Sequence, residues 1–147
     1  MKLDIKDCGD YVKVRIPSDF DLLDCHASEP QRYPFLLESN NASHSENSFD
    51  ILFAFPEEKI ESFDLKDDCF FSKFDESFNR NKKYNSSDKL PFTGGWFVFL
   101  SYELVGAIEE KLSGLKVDES LPLASAVRIP LAIIKSHLDK SCWIVCE

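Results

Sequence analysis

Glycine, methionine and histidine are all scarce in this chain of 147 residues, which has five, one and three of them. With so few glycines there is little material for a phosphate cradle. The pair Gly94-Gly95 is followed by neither a Gly-x-Gly-x-x-Gly pattern nor a Lys-Ser/Thr pair, so close backbone packing or a positive φ before a strand explains it better. His26, His44 and His137 stand far apart in dissimilar contexts, without metal-ligand spacing or a nucleophile motif, and read as surface or turn histidines. Cys8, Cys25, Cys69, Cys142 and Cys146 are odd in number and lack any C-x-x-C pair, which excludes a zinc knuckle and a disulfide framework in favour of reduced thiols. Cys142 and Cys146 fit one face of one strand. Basic residues are outnumbered 17 to 26, and a net charge of -9 argues against general binding to nucleic acid or anionic membrane. No stretch approaches the roughly 20 apolar residues of a membrane span, and Met1-Lys-Leu-Asp-Ile-Lys-Asp7 has no signal-peptide apolar run. A cytoplasmic location is expected.

What the chain has in excess is aromatic surface, with thirteen Phe, four Tyr and two Trp, each able to bury a large area. Tyr11–Ile16 alternates apolar and charged residues, as a strand with one wet face does. Ser18 with Asp21 three residues on predicts the start of a short helix through Ala27, with Phe20 and Leu23 inward. Phe35-Leu36-Leu37 suits a buried strand, and Asn40–Ser48 has the composition of a loop. Phe49–Phe55 predicts a strand covered on both sides, with Phe49, Ile51, Phe53 and Phe55 on one face and Leu52 and Ala54 on the other. Pro56-Glu57-Glu58 turns it, and Lys59–Phe63 is expected to return as its antiparallel partner.

Asp68 is expected to cap a helix whose buried face carries Phe70, Phe71, Phe74 and Phe78, followed by a polar linker over Asn79–Lys89. Trp96–Leu100 reads as a central strand, and Ser101 as the cap of a helix with Leu104, Val105, Ile108 and Leu112 buried, stopped by Gly114. Glu103 in its first turn meets exposed amides, so Tyr102-Glu103 is not taken as acid/base machinery. Leu123–Ile134, broken by Pro130, and Ser141–Val145 predict further strands joined by a turn at His137–Lys140, the proline marking an edge or a bulge. Strands and helices mix without a regular βαβ beat. The fold class expected is α+β, with a largely antiparallel, sandwich-like β-sheet and flanking helices in one domain spanning 1–147.

Two segments carry a resemblance. Tyr33-Pro-Phe-Leu-Leu-Glu-Ser39 and Leu90-Pro-Phe-Thr-Gly-Gly-Trp-Phe-Val-Phe-Leu-Ser-Tyr-Glu-Leu-Val-Gly-Ala-Ile-Glu109 are similar, in order and separation, to two segments of the N-terminal region of chorismate-utilising enzymes, the first components of anthranilate synthase and aminodeoxychorismate synthase. The run Phe49-Asp-Ile-Leu-Phe-Ala54 resembles the aminodeoxychorismate branch. The resemblance implies a fold like the N-terminal domain of anthranilate synthase component I and a non-catalytic part of an enzyme, with no catalytic residue and no metal site in this chain. The chorismate-binding catalytic domain, with its Mg²⁺, is expected beyond Glu147, and a glutamine amidotransferase subunit is implied as a further partner.

In that family the Leu-Leu-Glu-Ser strand lies against a buried tryptophan. The resemblance therefore makes Leu37, Glu38, Ser39, Ser48 and Phe49 the candidate tryptophan-pocket residues. Many members have an arginine immediately before the aromatic residue of the next strand, where this chain has Ser48. A guanidinium missing beside a carboxylate ligand predicts weak tryptophan binding or none. An anthranilate synthase domain and a free-standing module for an aromatic amino acid are the alternatives.

Overall fold

The structure, a computed structural model, describes residues 4–39, 48–64, 69–82, 90–109, 111 and 120–147. It is α+β with mostly antiparallel sheets, as expected. The described residues of 4–57, 90–95 and 129–147 make one compact unit, and those of 58–82 and 96–128 make a second.

The first unit is built on a six-stranded sheet. Its strands are β1 (Ile5–Asp7), β2 (Val12–Ile16), β3 (Phe35–Leu37), β4 (Phe49–Ala54), β8 (Leu131–Ser136) and β9 (Cys142–Cys146), in the order β1-β2-β9-β8-β4-β3. Every neighbouring pair is antiparallel. The register aligns Ile51 with Ile134, Leu52 with Ile133, and Ile134 with Trp143, so apolar side chains stack across strands on both faces. One face packs Phe49, Ile51, Ala132, Ile134, Trp143 and Val145 with Tyr11, Leu90 and Phe92. The other packs Leu36, Leu52, Ile133, Cys142 and Ile144 against Leu22 and Cys25 of helix α1 (Leu22–Ser28). The reading of β4 as a strand covered on both sides is borne out over Phe49–Ala54; Phe55, expected on a covered face, lies past the end of the strand and is exposed.

Asp21, rather than Ser18, caps α1, its carboxylate accepting from the amide of Leu23. That register turns Leu22 inward and leaves Leu23, expected inward, exposed, while Phe20 packs against the core as expected. β1, which the sequence did not announce, is short and exposed throughout.

The second unit has a three-stranded sheet of β5 (Lys59–Ser62), β7 (Ala124–Ile129) and β6 (Gly95–Leu100), in the order β5-β7-β6. β5 was expected to pair with β4; it pairs instead with β7, antiparallel. Both lateral positions of β4 are already filled, by β8 and β3. β6 is correspondingly an edge strand and not a central one. Pro130 forms neither a bulge nor an edge: it separates β7 from β8, and the two strands belong to different sheets.

Helix α2 (Cys69–Asn81) buries Phe70 and Ser77 and packs Phe74 partly, with the Phe74 and Trp96 rings edge-on at 5.3 Å. Phe71 and Phe78 are exposed. Phe70, Phe74 and Ser77 share one helical stripe, and Phe71 and Phe78 lie one residue, about 100°, around from it. The expected cap, Asp68, lies outside the described residues. A single 3-10 turn (Tyr102–Leu104) runs into the four-residue α3 (Val105–Ile108). Ser101 precedes it without a capping side-chain bond, Leu104 is buried, and Leu112 and Gly114 lie outside the described residues. No helix among the described residues is long and apolar enough to cross a membrane.

Candidate functional site

The pocket residues expected from the resemblance fall at the ends of β3 and β4. Ser39 and Ser48 are brought together, the Ser48 hydroxyl donating to Ser39 Oγ at 3.0 Å. Ser48 is buried. Leu37 and Phe49 lie on one face of the sheet by register, Phe49 packed and Leu37 half exposed, while Glu38, just past the end of β3, is exposed.

Two residues that sequence reasoning passed over complete this cluster. The Asp50 carboxylate accepts from the Ser39 amide at 2.9 Å and lies 2.8 Å from His137 Nε2. His137 in turn donates its backbone amide to the Ser48 carbonyl at 3.0 Å. His137 does sit in a turn, as read, but it also ties the β8–β9 turn to the end of β4. The signal available was the alternation Phe49-Asp-Ile, which places an acid on an otherwise apolar strand. Because these polar groups satisfy one another, the arrangement behaves as a brace. A zwitterionic ligand would have to displace bonds already made.

The β8–β9 turn extends the network. Hydrogen bonds from the Ser136 hydroxyl, and then from the hydroxyl and amide of Ser141, hold the Asp139 carboxyl below the usual carboxylate range. Ser141 Oγ also accepts from Trp143 Nε1 at 2.9 Å, which fixes the indole. Next to it, burial pushes the Cys142 thiol up to about 11, against the opposing pull of Lys135. Cys142 is therefore an inert core thiol. His26 sits in α1 with Nδ1 2.6 Å from the Tyr33 carbonyl; His44 lies outside the described residues.

Two clefts are lined by other residues. In the first unit a cleft of about 740 Å³ is bounded by Ser28–Arg32 and Phe55–Glu57. Arg32 lies over the Phe55 ring at 5.5 Å and pairs with Glu29 at 3.1 Å. Phe55 has φ 55, a costly conformation for a bulky residue. It is held there by its amide, which donates to the Arg32 carbonyl at 2.8 Å, and by an edge-on contact with Tyr33. In the second unit a cleft of about 290 Å³ lies among Phe99–Glu103 and Leu121–Leu123.

Gly94 and Gly95 have φ of 115 and 153, so their expected backbone role is borne out. Among the described residues no group of three or more His, Cys, Asp or Glu side chains is placed to hold a metal ion. No protein-family model matches this sequence, and no curated protein matches it either.

Proposed function

We propose that this chain is the N-terminal, non-catalytic domain of aminodeoxychorismate synthase component I. In that reading it scaffolds the chorismate-binding catalytic domain in the conversion of chorismate and glutamine-derived ammonia to 4-amino-4-deoxychorismate, the precursor of 4-aminobenzoate and folate. The finer fold, that of the anthranilate synthase component I N-terminal domain, is part of the proposal. The α+β class and the backbone role of Gly94-Gly95 agree with it.

The observation that carries it is the apolar surface of β6, inside the Leu90–Glu109 segment. Val98, Phe99 and Leu100 are 43, 43 and 52% exposed, and Tyr102 is 79% exposed. Val98 and Leu100 share one face of the strand and Phe99 lies on the other, and apolar side chains left this exposed on an edge strand mark an interaction site. The catalytic domain is the partner proposed for it, and Mg²⁺ belongs with that domain. The self-satisfied cluster at Ser39, Ser48 and Asp50 supports weak tryptophan binding, or none, by this chain.

The test mixes the full chain with chorismate, Mg²⁺ and ammonia, then adds a chorismate-binding catalytic domain from such a synthase. The chain alone is expected to form no aminodeoxychorismate. The added domain should form a complex that Phe99→Asp weakens. Product from the chain alone, or no complex, overturns the reading.

A second reading, a free-standing module for an aromatic amino acid, is favoured by the cleft in which Arg32 and Phe55 set a guanidinium beside an aromatic ring. Thermal stabilisation by tryptophan alone, lost in Arg32→Ala, selects it. Tryptophan inhibition of the whole enzyme would instead place the chain in the anthranilate branch.

A further inference from the structure

The smaller cleft, at the end of β6, holds a polar atom that the fold leaves unanswered. Its apolar walls come from Phe99, Leu100 and Tyr102 in one segment and from Leu121, Pro122 and Leu123 in another. Ser101 lines it as well, and the Ser101 hydroxyl oxygen is buried with no hydrogen-bond partner. The main chain of this residue is engaged on both sides. Its amide donates to the Leu123 carbonyl at 2.8 Å, and its carbonyl accepts from the Leu104 amide at 3.3 Å. A serine in this position ordinarily turns its oxygen onto the amides of the helical turn that follows, and here it makes no such bond. A buried hydroxyl without a partner costs the folded chain free energy and calls for an explanation.

Size and charge narrow what would supply the partner. Among the described residues lining the cleft Glu103 is the one charged side chain and none is basic, so an anion finds no counter-charge there. At about 290 Å³ the space lies at the small end of ligand sites, and it suits one side chain and not an extended peptide. The rings of Phe99 and Tyr102 favour an aromatic occupant, and Ser101 calls for a hydrogen-bonding atom on that ring. Phenylalanine lacks this atom, whereas tyrosine carries one that both donates and accepts. The cleft is also continuous with the exposed β6 surface, sharing Phe99, Leu100 and Tyr102 with it. Aromatic anchors seated in pockets carry much of the energy of such interfaces.

We propose that this cleft receives a tyrosine side chain from the protein partner that docks on β6, a step that rests on the reading of β6 as an interaction surface. The ring packs against the apolar walls. Ser101 is itself only partly buried, and a turn about its χ1 between staggered positions brings the hydroxyl to the phenolic oxygen.

Two measurements on the full chain test this. In urea unfolding Ser101→Ala should leave the midpoint unchanged or raise it, because the variant removes a hydroxyl that has no partner. A lower midpoint would show a serine kept for folding and overturns the proposal. In amide chemical-shift titrations N-acetyl-tyrosinamide should bind saturably, shift the Ser101 and Leu123 signals, and bind roughly threefold to tenfold more tightly than N-acetyl-phenylalaninamide. Ser101→Ala should erase that difference. No saturable shift, equal binding of the two amides, or tighter binding of N-acetyl-lysinamide through Glu103 overturns the proposal. Selective tyrosine binding without a complex between the chain and the catalytic domain upholds the proposal with another partner and overturns only the reading given above. A complex that Phe99→Asp weakens but Ser101→Ala leaves unchanged does the reverse.

Discussion

His137 Nε2 lies 2.8 Å from Asp50 Oδ1, and the same oxygen accepts the amide of Ser39. One carboxylate thereby joins the end of β3, the start of β4 and the β8–β9 turn. Asp50→Ala leaves the Ser39 amide and the imidazole without this acceptor and should cost about 1–3 kcal/mol. His137→Ala leaves the Asp50 bond to Ser39 in place and should cost less. Urea unfolding of the two variants checks the order.

Leu52 is fully buried under α1, whereas Leu37, one of the expected pocket residues, is 49% exposed. Leu52→Ala should lose about 2–5 kcal/mol, through lost transfer energy and the cavity left behind. Leu37→Ala should lose well under half of that. Similar losses would mean that the β3 surface is covered in solution.

Gly94 combines φ 115 with a Cβ position already occupied by the Glu147 side chain. Gly94→Ala should destabilise by roughly 1–3 kcal/mol, because backbone strain adds to the clash. Glu147→Ala in the same chain removes the clash and leaves the strain. Thermal unfolding of the double variant should show a partial recovery only.

Cys142 supplies a pH signature. Its thiol is raised from 9.0 to about 11 in the folded chain. Between those values the unfolded chain has released this proton and the folded chain still holds it, so stability falls as pH rises through that window. Below pH 9 the group contributes no slope. Cys142→Ala should flatten this decline relative to the parent in denaturant titrations at pH 8 and pH 10.

Local alternation and turn chemistry made much of the fold legible. The run Phe49–Phe55 announced a strand covered on both sides, and β4 is one, because pleat alternation is a local property. The His137–Lys140 turn was readable for the same reason. In α2 the helical spacing was visible, yet a stripe about 100° wide takes Phe70, Phe74 and Ser77 and leaves Phe71 and Phe78 outside.

At the candidate site, Ser39 and Ser48 could be named from the sequence, but Asp50 and His137 could not. They are 87 residues apart in numbering, and only the β4–β8 register brings them together. The same limit applies to strand partners. Composition and periodicity by themselves determined an aromatic-rich α+β chain of antiparallel strands. Tertiary structure alone decided that β5 joins β7 and that the aromatic β6 lies at an edge. The physical reason is that hydrophobic patterning specifies which side of a strand is buried, whereas its neighbours are chosen by which hydrogen-bonding edges are vacant once the whole chain has folded.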